Sequence, residues 1–268
     1  MKRGLILILS AATALAQIAD AKRGQQLIEQ AVQALGGENF LKMEDRVEQG
    51  RAYSFYRDQI SGLSQAKIYT RYITVAPGKS GEELGVRERE AFGKTEDVAV
   101  LFTEAGGWEI TWRGAKDLEK DRLDRYRQTT LRDVLYILRQ RLKEQGLIFE
   151  YEGSDVFENQ PVDMVDITDS KNRVVRVFLH QSTHLPVRQE YAHVNPTDHQ
   201  QDKEVTLYSL YREVGSGIQW PMQIKRERNG EKVYQIFSES VKVNQDLTDE
   251  LFSLPTGNES PTKVKKKK

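Results

Sequence analysis

Cysteine is absent from all 268 residues. Disulfides, thiolate metal sites, cysteine nucleophiles and a cysteine-linked lipid anchor are therefore excluded, and stability must come from core packing. Apolar runs are also scarce: after the first sixteen residues no segment reads as long and greasy enough to cross a bilayer. Excess charge is missing too, with 40 basic and 40 acidic residues. Setting aside Lys2 and Arg3 at the start, and five lysines against Glu259 at the end, 33 basic and 39 acidic residues remain. An acidic body of this kind offers no nucleic-acid footprint. The motifs of common chemistry are missing as well. There is no G-x-S-x-G elbow, and Gly36-Gly37 and Gly106-Gly107 lack a phosphate-loop pattern. His180 and His184 stand four apart, but Gln181, Ser182 and Thr183 lie between them and Pro186 follows, which predicts a turn rather than a helical ligand pair. His193 and His199 fall in or near a polar stretch and read as solvated. Carboxylates are plentiful on wet faces without an acid/base pair standing out. The expectation is a protein that is not an enzyme and uses no cofactor or metal.

What is present begins with a leader. Lys2 and Arg3 precede an apolar stretch from Gly4 to Leu15, and Ala14-Leu15-Ala16 fits a small-x-small cleavage site before Gln17. A second possible cut lies after Ala19-Asp20-Ala21. Residues 1–16 are read as a signal peptide, 17–255 as one exported domain, and 256–268, ending in a lysine run, as a disordered tail. That tail either aids solubility or leans on an anionic lipid surface.

Leu27, Ile28, Ala31, Val32 and Leu35 recur at helical spacing and stop at Gly36-Gly37. From residue 44 the pattern turns extended, with Trp108, Ile110 and Trp112 alternating with Glu109, Thr111 and Arg113. The spacing then predicts one long amphipathic helix within 117–145. Leu131, Val134, Leu135, Leu138 and Leu142 share a face, Arg132, Asp133, Arg139, Gln140, Lys143 and Glu144 take the other, and Gly146 suits the C-cap. Strands resume to residue 243, with 195–203 read as an exposed loop and Asn229-Gly230 as a type I′ hairpin. The count is about ten to twelve strands. The expected fold is α+β, mostly β: a large curved antiparallel sheet with helices over its concave face. Pattern alone leaves open whether the space beneath the helix is a packed core or a pocket.

Several stretches together resemble the outer-membrane lipoprotein carrier superfamily (LolA/LolB-like), including its longer lipoprotein-sorting relatives. They are the leader, Gln33 to Gly37, Glu104 to Trp112 ahead of the helical insertion, Thr183 to Arg188, Tyr208 to Gly217, Ile218-Gln219-Trp220-Pro221, and Val241 to Asn244 leading to Leu251-Phe252. The resemblance implies an unclosed β-barrel, a helical lid, and an apolar cavity for lipid or lipoprotein acyl chains, loaded at an inner-membrane transporter and emptied at an outer-membrane acceptor. Tyr69-Thr70-Arg71-Tyr72 keeps the arginine of the family's early-strand signature without its proline, so the lid-latching role is not carried over to Arg71. Leu131, Leu135 and Leu138 from the helix, with Phe102, Trp108, Ile110, Trp112 and Trp220 from strands, are expected to line the cavity. The resulting reading is a periplasmic carrier. An envelope sensor or scaffold of the same fold, and an exported hydrolase with an unrecognised site, are its alternatives.

Overall fold

The structure, a computed structural model, describes residues 18–195 and 199–255 in full and residues 3–17 by their backbone. Helix α1 (Arg3–Leu35) and the short α2 (Gly37–Leu41) lead into six strands: β1 (Asp45–Tyr56), β2 (Gln59–Tyr72), β3 (Val86–Phe92), β4 (Val98–Thr103), β5 (Gly106–Thr111) and β6 (Gly114–Asp117). Helix α3 (Lys120–Leu131), α4 (Val134–Tyr136) and a π-helical turn (Ile137–Arg141) follow. Seven more strands complete the sheet: β7 (Ile148–Phe157), β8 (Gln160–Thr168), β9 (Val174–His180), β10 (Pro186–Val194), β11 (Gln201–Glu213), β12 (Gln219–Arg228) and β13 (Glu231–Val243). A 3₁₀ turn at Asp249–Phe252 comes last among the described residues.

All thirteen strands join one antiparallel sheet in the order 6-5-4-3-2-1-13-12-11-10-9-8-7, and the sheet is not closed. Two runs of hairpins, β1–β6 and β7–β13, are welded by the β1–β13 ladder. Hairpins dominate because turn residues recur between short β-rich runs; Asn229 (φ 53°) and Gly230 (φ 85°) make the expected two-residue turn, and Arg57-Asp58 and Glu158-Asn159 make two more with positive φ at both positions. The strand count exceeds expectation because β6 is four exposed residues without an apolar signal; β7 is bulged, its register against β8 shifting between Tyr151 and Gly153. Residues 201–203 of the expected loop belong to β11.

The core lies on the helix-bearing face. Leu27, Ile28, Ala31, Val32 and Leu35 of α1 pack with inward residues of β7–β13 and with Val134, Leu135, Ile137 and Leu138. A methyl group at Gly24 would sit 2.5 Å from the Phe149 carbonyl oxygen, so glycine lets α1 lie directly on β7. A smaller cluster on the opposite face joins Tyr69, Ala91, Ala99, Leu101 and Ile110 to Phe252 of the 3₁₀ turn. Arg71 also faces that way, paired with Asp249 at 2.7 Å, so it stands clear of the helices. The tail expected at 256–268 lies outside the described residues, and α1 runs unbroken through the expected cleavage point.

Candidate functional site

The long helix expected across 117–145 is broken. The chain leaves β6 at one edge of the sheet and re-enters at β7, the other edge, so the connecting helices must span the open side. Arg132 ends α3. Asp133 is extended (φ −70°, ψ 126°) and its carboxylate accepts the Leu135 and Tyr136 amides at 3.0 and 3.2 Å. An aspartate that caps a new helix cannot continue an old one. Gln189 of β10 fixes the break: its Oε1 accepts the Val134 amide at 2.6 Å and its Nε2 donates to the Arg132 carbonyl at 3.1 Å. The Tyr208 hydroxyl lies 2.7 Å from Gln189 Oε1 and 3.0 Å from Asp133 Oδ2.

The two halves of this cover differ in attachment. Val134 through Leu138 are all buried. Arg141, at 2% exposed, is locked by Glu144, Asp169 at 2.9 Å and the Leu131 carbonyl. In α3, by contrast, Leu131 alone is buried. The rest of α3 rests lightly on β4 and β5. Tyr126 stacks on Phe102 with ring centroids 3.5 Å apart, and Arg122 pairs with Glu109. A methyl at Gly107 would stand 2.7 Å from Leu118 and 3.1 Å from Leu123, so the bare backbone there admits close approach.

Beneath α3 the inner face is charged. Register places Arg46, Thr70 and Glu88 in one row and Glu48, Ile68 and Glu90 in the next. Arg46 donates to Thr70 at 3.1 Å, lies 3.4 Å from Glu48 and covers the Trp220 ring at 4.0 Å. Thr70 donates to Glu88 at 3.1 Å. Arg226 of β12, opposite Tyr234 of β13, acts electrostatically on Glu88, Glu90 and Asp133. Burial, with the like charge of Glu88 added, pushes the Glu90 carboxyl up to about 7 against the opposing pull of Arg226 and Arg122. Burial also raises Glu88, although Arg46 and the Thr70 hydrogen bond oppose it. Glu88, Glu90 and Tyr234 keep part of their surface accessible while desolvation pushes each of them up. Arg226 is partly accessible too; burial pulls it down, but Asp133 and the nearby tyrosines hold it up. That combination marks side chains lining a hollow rather than filling a core.

The eight residues expected to line a cavity fall into several places. Leu135, Leu138 and Trp220 are in the main core, and Leu138 is 0% exposed. Leu131 joins Val86 and Tyr136 in a separate cluster. Phe102 lies under Tyr126 on the inner face. Trp108 and Ile110 pack on the opposite face with Phe252. Trp112 tips the β5–β6 hairpin, 77% exposed beneath the Arg113 guanidinium. Two grooves involve none of the eight. One, of about 1560 Å³, is polar and open, bordered by Lys42, Asp45, Arg139, Lys143, Glu144 and Asp246. The other, of about 590 Å³, is bordered by Phe157, His180, Leu185, Leu207, Tyr211 and Lys225. His180 ends β9, and the His184 amide closes the turn that follows by donating to the His180 carbonyl at 2.7 Å; no group of acidic or histidine side chains able to hold a metal occurs among the described residues.

No protein-family model matches the sequence, and no curated protein matches it. Solved structures do share its architecture. A putative outer membrane lipoprotein-sorting protein domain from Vibrio parahaemolyticus superposes with a TM-score of 0.54 at 11% identity, over 87% of this chain and 97% of its own. A LolA superfamily protein from Nitrosomonas europaea gives 0.52 at 12% identity, over 86% and 97%. This is a LolA-like fold. A DUF1329 family protein from Desulfovibrio piger shares it as well, with a TM-score of 0.55 at 14% identity over 86% and 97% of the two chains. Within this LolA-like half-barrel, Val134 to Leu138 are buried whereas α3 lies over β4 and β5 with Leu131 alone buried. The charged residues beneath α3 escaped sequence reading because Arg87, Glu88, Arg89 and Glu90 are charged on both faces of β3. Alternation there gives no dry side to assign.

Proposed function

We propose that the protein is an exported LolA-like binding protein that shelters the acyl chains of a lipid or lipoprotein on the inner face of its sheet, beneath α3. The observation that supports this reading is the divided cover: a flap with one buried residue over Phe102, hinged at a capped break to a plug that is fully packed. An acyl chain left in water costs about 0.8 kcal/mol per CH₂, so a courier needs an apolar wall with a removable cover. Phe102, Val100 and Leu123 supply such a wall, and Leu131 anchors the flap's hinge end. In this reading Trp220, Leu135 and Leu138 are the rigid floor. Removal of residues 1–16 would deliver the chain to the periplasm, where it would collect cargo at an inner-membrane transporter and release it to an outer-membrane acceptor.

Native mass spectrometry of the protein isolated from an expressing bacterial envelope tests the reading. Co-purifying lipid or acylated peptide is the expected result, on a polypeptide beginning at Gln17 or Lys22. Because the chain has no cysteine, Glu109→Cys and Arg122→Cys create a unique pair. Cross-linking it with a short bis-maleimide should clamp α3 and abolish uptake of a fluorescent fatty acid. Undiminished uptake by the clamped protein would remove α3 as the flap.

A further inference from the structure

The hollow beneath α3 contains charges that do not meet. Among the described residues, Arg226 forms no ion pair or hydrogen bond with a carboxylate, and its Nε is buried without a partner. Glu90 makes no side-chain hydrogen bond or ion pair there, although Glu88 and Arg226 both act on it electrostatically. The Tyr126 hydroxyl, within electrostatic reach of Glu88 and Thr130, is likewise buried without a hydrogen bond of normal geometry. Interior charges of opposite sign ordinarily pair, because an unpaired one carries the full desolvation cost. Here one guanidinium and two carboxylates stand apart across the bowl, on β12 and β3. By contrast, Arg141, Arg173 and Asp169 interlock at 2.6 to 2.9 Å in another part of the same molecule.

Three facts define what would fit between them. The guanidinium asks for an anionic oxygen. The carboxylates, adjacent in register on β3, ask for a donor-rich cation. Directly across the β3–β4 ladder, Phe102 faces Glu88 and Val100 faces Glu90, so the polar pair borders an apolar wall. A simple anion would meet Arg226 but be repelled by Glu88 and Glu90. A simple cation would meet the reverse. A molecule carrying both charges a few ångströms apart, with hydrocarbon attached, satisfies every group. We infer that the hollow selects a zwitterionic amphiphile of the phosphoethanolamine type, with phosphate at Arg226 and ammonium at Glu88 and Glu90. The inference rests on the acyl-binding reading above and names the headgroup that the same site prefers.

The deciding experiment is competition against a bound fluorescent fatty acid, using the full chain after leader removal. The competitors are lysophosphatidylethanolamine and lysophosphatidylglycerol with identical acyl chains. The zwitterionic lipid is expected to compete about tenfold better, the gain of one charge-assisted contact. The Glu88→Gln/Glu90→Gln double variant should erase that preference, whereas Arg226→Gln should weaken competition by both lipids alike, because both carry the phosphate, and leave the preference between them standing. Equal competition by the two lipids would overturn the headgroup assignment, leaving the carrier reading in place and water as the filling of the hollow. Binding of no amphiphile at all would instead overturn the carrier reading. The comparison on the unmodified chain decides even if a variant fails to fold.

Discussion

At the residue scale, two carboxyls should titrate with opposite signs. Burial and Glu88 hold Glu90 at about 7, above the 4.5 of a free glutamate. Between those values the folded chain binds more protons than the unfolded one, so this group makes stability fall as pH rises from about 4.5 to about 7. Asp169 runs the other way. Burial would raise it, but Arg173 and Arg141 hold it at about 2 against an ordinary 3.8, so its stabilisation is present above 3.8 and lost as pH drops toward 2. Glu90→Gln should flatten the slope of urea-unfolding free energy between pH 5 and 7, by up to about 3 kcal/mol if the shift is fully expressed. An unchanged slope would show that Glu90 is solvated normally. The Asp133 cap is a second residue-scale test. Asp133→Ala removes the Oδ1 acceptor of two amides at the break, those of Leu135 and Tyr136, and should cost about 1–2 kcal/mol by the same measurement. Asp133→Asn, which still caps, should recover most of it.

At the scale of elements, the leucine periodicity of 131–142 announces an amphipathic helix correctly, yet it could not reveal the break. Periodicity measures which side is dry, and the dry side is continuous through Asp133 because Leu131 and Val134 both point inward. The cap at Asp133 is a local choice, but Gln189 and Tyr208, more than fifty residues away in sequence, hold the break in place. Nothing adjacent in the chain announces them. Facing within strands was equally hidden. Trp108 and Ile110 do alternate as a dry row, but the row is sealed by Phe252 of the terminal 3₁₀ turn rather than by a helix. The contrast between plug and flap is measurable. Leu138→Ala empties a fully packed site and should cost about 2–5 kcal/mol. Leu123→Ala, at the half-exposed flap, should cost under about 1 kcal/mol. Hydrogen exchange should follow the same division, with amides of 121–130 exchanging well before those of 137–141. Equal protection of the two segments would mean that the cover moves as a unit or not at all.

For the whole molecule, composition and strand count were enough to foresee a large curved antiparallel sheet, because hairpin turns and apolar alternation are local signals; that the sheet is unclosed came only from the resemblance to the carrier family. They could not foresee that its two edges are the two ends of one connection. That topology makes the helical cover a strap from β6 to β7, while the sheet is held independently by the β1–β13 ladder and the core around α1. Cutting the strap should therefore leave the bowl standing. Trypsin offers a direct trial, because α3 presents Lys120, Arg122, Arg125 and Arg127 on a helix with only Leu131 buried. Arg139 and Arg141 are instead tied to the Met43 carbonyl and to Asp169. Limited digestion should cut within α3 first and yield two fragments that elute together under native conditions and separate in denaturant. A saturating acyl ligand should slow that first cut, since binding at 100 times Kd stabilises the bound form by about 2.7 kcal/mol and α3 must lift to enter a protease. Cleavage equally fast with ligand in place would put the acyl site somewhere other than beneath this helix.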